Sequence, residues 1–277
     1  IAVCGKEQIT AHTHTDDCYD SSGIVCGKKQ AVEHIHTDAC FIISDTEKVL
    51  TCKLQEHTHH EIACYADRSA DVETSDDWQA ELKDVELCGE WHRDVLAIAK
   101  TQIGYCESSR NVICDENGRL QGYTRYGEWY GDPYGEWSAM FVSFCLHYAG
   151  VEKMPYESDC HDWLLALSDE RYDLYRKANE HTPSVGEIVF LDKNKDSCAD
   201  SVGIIAEIIP QIESQAAKLK VIQGDASSKV QYVIYEYTSE SVIGYSVLPD
   251  GDYKEQTVTA QIYTDGTYRN PLESDTT

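Results

Sequence analysis

The sequence has few cationic side chains and no long apolar run. Lysine and arginine total 23 against 49 aspartate and glutamate residues, which gives a formal net charge of −26. A chain this acidic repels phosphate backbones and anionic lipid surfaces, so we expect no nucleic-acid binding and no binding to such membranes. No stretch of about 18 apolar residues is present, and no membrane-spanning segment is therefore predicted.

A recognisable signal peptide and an initiating methionine are also missing. The chain starts at Ile1 and ends in the polar residues 273–277. We therefore expect a mature or excised fragment of a longer protein. Its 277 residues, 42% of them hydrophobic, are enough for about two domains with a buried core.

Cysteine and histidine, by contrast, are abundant and unevenly spread. The chain has 12 cysteines and 11 histidines, and six of the cysteines and seven of the histidines lie within residues 1–64. Two segments there, CGKEQITAHTHTDDC (4–18) and CGKKQAVEHIHTDAC (26–40), share nine of fifteen positions. A third, shorter copy, CKLQEHTHHEIAC, spans residues 52–64. The N-terminal region is therefore an array of small repeated units.

Each repeat offers two cysteines and an H-x-H pair, which is a ligand set suited to tetrahedral zinc. Residues i and i+2 of an extended strand face the same side, so both imidazoles of a pair can reach one ion. Such closed sites would be structural and would supply folding free energy to units too short to form a core. One disulfide per repeat, with the histidines at the surface, is the alternative; it leaves the H-x-H pairs unexplained. The predicted zinc ligands are Cys4, His12, His14 and Cys18; Cys26, His34, His36 and Cys40; and Cys52, His57, His59 and Cys64, with His60 as a competitor.

The rest of the chain predicts an α+β domain. Apolar spacing indicates helices over 92–105 and 138–150, and a further helical region over 159–179. Strand-like runs follow at 187–191, 202–209, 218–224, 230–237 and 242–247. Helices first and antiparallel strands second are typical of this class.

Four regions are expected from these patterns. They are the three metal-binding repeats (1–66), an acidic linker (67–87), the α+β domain (88–248) and a strand or linker toward a further domain (249–277). Cys88, His92, Cys106 and Cys114 are an alternative fourth metal set.

The two main regions resemble known families. The repeats resemble the C…H-x-H…C repeats of large surface proteins from Gram-positive gut bacteria. Four segments resemble a CHAP domain, a papain-like cysteine amidase or endopeptidase of bacterial cell walls: HRDVLAIAKTQIGY (92–105), YGDPYGEWSAMFVSFCLHYAG (130–150), PSVGEIVFLDKNKDSCADSVGIIAEI (183–208) and VIQGDASSKV (221–230). The resemblance covers about residues 88–248 and implies a papain-like fold.

The chain departs from the CHAP pattern at each catalytic position. In that family a cysteine after the tryptophan opens a helix, a histidine precedes the V-G-I strand as the base, and a polar residue orients the histidine. Here those positions hold Ser138, Ser201 and Asp225. A serine hydroxyl is a weak nucleophile unless a base takes its proton, and no histidine stands at the base position.

Three explanations account for these departures. A pseudoenzyme explains both serines at once. An enzyme inactivated by substitution of its nucleophile explains Ser138 alone. A catalyst with rearranged residues would need another base. His147 lies nine residues further along the helix that begins at Ser138 and cannot easily reach it, which leaves His161 and His181 as candidates that no motif supports.

Two further features predict binding. Asp192, Asn194 and Asp196, with Asp200 nearby, have the alternating oxygen ligands of a calcium loop, although position 197 is not the glycine of such loops. A polar hairpin loop is the alternative. Residues 123–137 are interpreted as a loop rich in glycine and aromatics, whose contact anchors would be Tyr126, Trp129, Tyr130, Tyr134 and Trp137, unless several of them pack inside the fold.

These observations predict a non-catalytic binding module of a secreted or wall-displayed Gram-positive protein. Its expected partner is a host glycoprotein such as an immunoglobulin, which rests on the resemblance to gut-bacterial surface proteins, or else cell-wall glycopeptide held in the ancestral groove. The alternatives are a peptidoglycan amidase or endopeptidase in inactivated form, and a structural spacer. The net charge favours a neutral or basic partner surface.

Overall fold

The computed structural model describes residues 66–115, 118–212 and 216–249, together with the backbone of four short strands before them. All twelve predicted zinc ligands and the strand predicted after residue 249 lie outside this part of the chain. The chain divides into two compact units: residues Ile1–Asp71 with Ser108–Gly122, and residues Val72–Glu107 with Tyr123–Thr277.

The described residues of the first unit form three two-stranded antiparallel ribbons. Its strands are β1 (Tyr19–Asp20), β2 (Gly23–Ile24), β3 (Ile42–Ser44), β4 (Glu47–Val49), β5 (Val112–Cys114) and β6 (Leu120–Gly122). Ala66 and Val112 are buried together against Cys114. The Asp71 carboxylate accepts hydrogen bonds from Ser108 and Arg110, both at 2.7 Å, which ties residues 66–71 to the segment before β5.

The second unit begins with helices. They are α1 (Ser75–Leu82), α2 (Trp91–Thr101), α3 (Arg125–Tyr130), α4 (Ser138–Tyr148) and α5 (Cys160–Ser168). Helix α4 is buried on all sides apart from His147, as its continuous apolar sequence predicts. It ends before Gly150, which adopts φ +73° in the left-handed region that favours glycine. The helices predicted at 92–105 and 138–150 are confirmed, whereas the helix predicted at 159–179 stops at Ser168.

A six-stranded sheet follows, with all neighbours antiparallel. Its strands are β7 (Tyr175–Lys177), β8 (Ile188–Leu191), β9 (Ser201–Ile209), β10 (Lys218–Gln223), β11 (Gln231–Glu236) and β12 (Val242–Ser246), in the order β11-β10-β9-β8-β12-β7. The predicted α+β class and its five strands are confirmed. One face carries Val202, Ile204 and Ile222 in the helix-covered core, and the other buries a second cluster around Val189, Val221 and Tyr245.

The interpretation of residues 67–87 as a linker is wrong. Helix α1 buries Trp78 and Leu82, which lie four residues apart on one helix face. The Trp78 indole N–H donates to the Tyr148 hydroxyl at 2.7 Å. The acidic composition concealed this helix because its charged residues occupy the opposite, exposed face.

The interpretation of residues 123–137 as a loop is wrong in its first half. Helix α3 is capped by the Thr124 hydroxyl, which accepts from the Gly127 N–H, and it ends at Gly131 with φ +102°. Tyr126 and Trp129, three residues apart, share the buried face of this short helix. Gly127 is needed there because a side chain would collide with the Asp132 carbonyl oxygen.

Candidate functional site

The candidate site lies where α4 begins against the sheet, and the three residues that the CHAP resemblance singled out come from three elements. Ser138 is the first residue of α4, Ser201 is the first residue of β9, and Asp225 follows β10. Gly224 lets the chain leave β10 close to α4, because a side chain there would lie 2.6 Å from the Phe141 Cβ. Asp225 adopts φ +53°, an uncommon conformation for a residue other than glycine.

Ser138 is paired with a thiol. Its hydroxyl oxygen lies 3.1 Å from the sulfur of Cys160, the first residue of α5, and both residues are buried. Burial raises the pKa of the Cys160 thiol to about 12, an effect that the Ser138 hydrogen bond opposes. Cys160 is therefore a neutral thiol near pH 7 and does not supply a thiolate nucleophile.

Ser201 is paired with an amide. The Gln223 side-chain N–H group donates to its hydroxyl, and the Tyr235 hydroxyl donates to the Gln223 carbonyl oxygen at 2.7 Å. Ser201 thus belongs to a chain of neutral hydrogen-bonding groups that extends across β9, β10 and β11. None of these groups takes a proton from serine near pH 7.

The candidate imidazoles are engaged elsewhere. His161 Nδ1 accepts from the Ala199 N–H at 3.4 Å, His181 Nε2 lies 2.9 Å from the Glu187 carboxylate, and the ring of His147 packs against Trp129 with centroids 5.2 Å apart. Burial lowers the pKa of His147 to about 4. Sequence reasoning missed Cys160 and Gln223 as site residues, because no motif places them beside Ser138 and Ser201; only the tertiary structure does.

Carboxylates surround the site. Burial is the main cause that raises the pKa of Asp225, and Glu107 and Glu136 raise it further by their negative charge. A hydrogen bond from the Trp137 backbone and the cationic Lys193 act in the opposite direction. Glu107 also accepts from the Trp137 indole N–H at 3.2 Å. A site with this electrostatic character favours a cationic group on a ligand over an anionic one.

Three of the five predicted aromatic anchors lie in the core. Tyr126, Trp129 and Trp137 are each at most 1% exposed, and the rings of Tyr126 and Trp137 stack with centroids 5.4 Å apart. The alternative, in which several aromatics pack inside the fold, therefore describes these three. Tyr130 and Tyr134 are partly exposed and could contact a partner.

The predicted calcium residues form a hairpin loop between β8 and β9. The Asp192 carboxylate accepts from the Lys195 and Ser197 backbone N–H groups at 2.6 and 2.9 Å. Asn194 and Asp196 accept from N–H groups two residues further on, at 2.9 and 2.8 Å. The loop thus satisfies its own side-chain oxygens by short-range hydrogen bonds.

No group of three or more histidine, cysteine or acidic side chains in the described part of the chain is arranged to hold a metal ion. This part includes Cys88, His92, Cys106 and Cys114, the alternative fourth metal set. Within the same residues, no helix combines the length and apolar character needed to cross a bilayer. Comparisons of the chain with family models, with curated proteins and with solved structures found no match.

Proposed function

We propose that this chain is a non-catalytic binding module of a secreted or surface-displayed Gram-positive protein. In this proposal a papain-like CHAP domain has lost its nucleophile and base, and three zinc-stabilised repeats precede it. The observation that carries the proposal is the pairing of Ser138 with the neutral thiol of Cys160 and of Ser201 with the amide of Gln223. A serine hydroxyl that has no base to take its proton remains a weak nucleophile.

The charge distribution supports binding as the remaining role. Glu136 is exposed, and it lies near enough to Asp225 and Cys160 to raise the pKa of both. The proposed partner is a host glycoprotein, such as an immunoglobulin, that presents a neutral or basic surface. Cell-wall glycopeptide, whose free amines are cationic, is the second candidate, and the carboxylates around the ancestral groove favour it.

The first experiment measures chemistry. Wild-type protein incubated with Gram-positive peptidoglycan should release no new amino groups. A triple variant, Ser138→Cys with Ser201→His and Cys160→Ala, should gain measurable hydrolysis if the arrangement is that of a CHAP enzyme. Hydrolysis by the wild type would refute the non-catalytic assignment. A folded but inactive triple variant would count against the CHAP arrangement.

The second experiment measures binding. The protein, kept in zinc-containing buffer, is titrated against immobilised secretory immunoglobulin, with soluble peptidoglycan fragments as competitor. Glu136→Arg should weaken binding at the groove. Glu170→Arg changes another exposed acid, just after α5, and should not weaken it. Equal effects of the two variants would place binding outside the groove. Binding of neither immunoglobulin nor peptidoglycan would refute both proposed partners.

A further inference from the structure

The two edges of the six-stranded sheet are built differently. At one edge, β7 has three residues and carries Arg176 and Lys177. Short, charged edge strands resist pairing with other chains. At the opposite edge, β11 has six residues, and its central residues 232–235 are uncharged. Of the two edges, the β11 edge therefore lacks the short length and the central charges that protect β7 from pairing with another chain.

The backbone of β11 offers hydrogen-bonding groups on its outer side. The Tyr237 N–H donates to the Ala217 carbonyl at 2.8 Å, which shows that odd-numbered residues point toward β10. Even-numbered residues then point away from β10, because antiparallel strands alternate in this way. Val230 is paired on the outer side with Gly104 and Tyr105, at 2.9 Å for both bonds. Beyond it, no described strand pairs with Tyr232 or Ile234 on this side.

The side chains along this edge are also unusual for a free surface. Tyr232 is 40% exposed and Ile234 is 57% exposed, and both project from the same face of β11. Lys220 of β10 lies on that face as well, with its ammonium 4.4 Å from the centre of the Tyr232 ring. Glu236, two residues after Ile234, is the one charged residue of the strand.

We propose that β11 is the dimerisation edge of this protein, and that it pairs with β11 of a second copy in antiparallel orientation. Because Gly104 and Tyr105 cover the start of the strand, the free window runs from Tyr232 to Glu236. A twofold axis through this window places Ile234 opposite Ile234 of the second copy. It also places Tyr232 opposite Glu236 of the second copy. The even-numbered side chains of both copies then lie on one face of the joined sheet, and the odd-numbered side chains lie on the other.

This register is complementary in both polarity and charge. The two Ile234 side chains form an apolar contact on the axis. Each Glu236 carboxylate comes to lie beside Tyr232 of the other copy, where Lys220 is already held over the ring. Lys220 also pairs with Glu207 of its own chain at 3.4 Å, so in the dimer each lysine lies between one glutamate of each copy. The register places no two like charges directly opposite each other, which matters for a chain of net charge −26. The proposal does not depend on the function of the Ser138 site.

The test is the oligomeric state of the full chain by sedimentation velocity over a concentration series. The wild type should dimerise, and Ile234→Lys should raise the dimer dissociation constant at least about tenfold by placing two ammonium groups on the axis. Leu165→Lys is the matched control, since Leu165 is a 54% exposed apolar residue on α5. A wild-type monomer, or a dimer unaffected by Ile234→Lys, would overturn the proposal.

Cross-linking tests the register. Directly opposite, hydrogen-bonded residues have Cα atoms about 5.5 Å apart, within the roughly 4.4–6.8 Å range that disulfides span. Ile234→Cys should therefore give a disulfide-linked dimer on mild oxidation, and Leu165→Cys should not. Equal yields from the two variants would contradict the pairing.

Hydrogen exchange identifies what covers the edge if the protein is a monomer. A monomer whose Tyr232 and Ile234 amides resist hydrogen exchange would show that another segment of the chain covers the edge. A monomer in which both amides exchange freely would show that the edge is uncovered and available to a strand of a different protein. Each of these monomers would exclude a second copy as the occupant.

Discussion

The hydroxyl oxygen of Ser138 and the sulfur of Cys160 lie 3.1 Å apart, at the first residues of α4 and α5. Ser138, which the CHAP resemblance matches to the nucleophile position of that family, is therefore in contact with a buried thiol. A cysteine substituted at position 138 would therefore lie next to Cys160.

Ser138→Cys should form a disulfide with Cys160. The two sulfurs would begin only about 1 Å beyond the bonded distance of roughly 2.05 Å, and air oxidation should close the bond. After unfolding in EDTA, the variant should show two fewer reactive thiols than it has cysteines. Ser143→Cys is the control, because Ser143 is buried on the same helix but bonds to the Glu157 carbonyl. Two free thiols at positions 138 and 160 would contradict this geometry.

Arg125→Ala should destabilise the second unit by about 3 kcal/mol. Arg125 is buried and bonds Glu73 at 2.6 Å and Glu81 at 2.5 Å, so it holds helix α1 against the domain. Losing one partner of a buried ion pair costs about 3–5 kcal/mol, and the lower value applies because both carboxylates are partly exposed. Urea unfolding followed by tryptophan fluorescence measures this, since all five tryptophans lie in the second unit.

The control for Arg125 is Arg171→Ala, which breaks an exposed pair with Asp169. Exposed pairs of this kind contribute about 0–1 kcal/mol, so little change is expected. If the two variants were equally stable, Arg125 would not hold α1 in place.

Sequence patterns predicted the elements whose apolar periodicity is unbroken. Helices α2 and α4 and the five longer strands of the sheet were predicted within a few residues, because each has either a regular apolar face or a continuous apolar run. Helices α1 and α3 were missed. In α1 only Trp78 and Leu82 are buried, and α3 is too short for its spacing to stand out among glycines and aromatics.

The candidate site stays a prediction. The CHAP resemblance indicated Ser138, Ser201 and Asp225, and the structure describes them as the first residue of α4, the first residue of β9 and a residue just after β10. It could not indicate Cys160 or Gln223, because these come from α5 and β10 and meet the two serines only through tertiary packing. The sequence left open whether Tyr126 and Trp137 are buried or bind a partner, since an aromatic residue suits a core and a binding surface alike.

His147 should make the second unit less stable in mild acid. Burial lowers the pKa of its imidazole from 6.5 to about 4, so the unfolded chain binds the proton more tightly than the folded one. The free energy of unfolding is therefore unaffected by this group well above pH 6.5 and decreases as the pH falls from 6.5 toward 4. At pH 5 the decrease is about 2 kcal/mol. His147→Phe keeps a ring against Trp129 and should remove that part of the loss. Urea unfolding of both proteins at pH 7 and pH 5 gives the comparison, and parallel losses would exclude His147 as the cause.

Zinc removal should unfold residues 1–64 and leave the second unit intact. The repeats contain no tryptophan, whereas Trp78, Trp91, Trp129, Trp137 and Trp163 all report on the second unit. If three closed Cys₂His₂ sites stabilise the repeats, EDTA should change the far-UV circular dichroism and release three zinc ions per chain, with tryptophan emission unchanged. Paired Cys4→Ser and His12→Ala substitutions should reduce the released zinc by one ion. A chain that contains no zinc and has three disulfides in its place would show that the cysteine pairs are covalent, and the histidine pairs would then need another explanation.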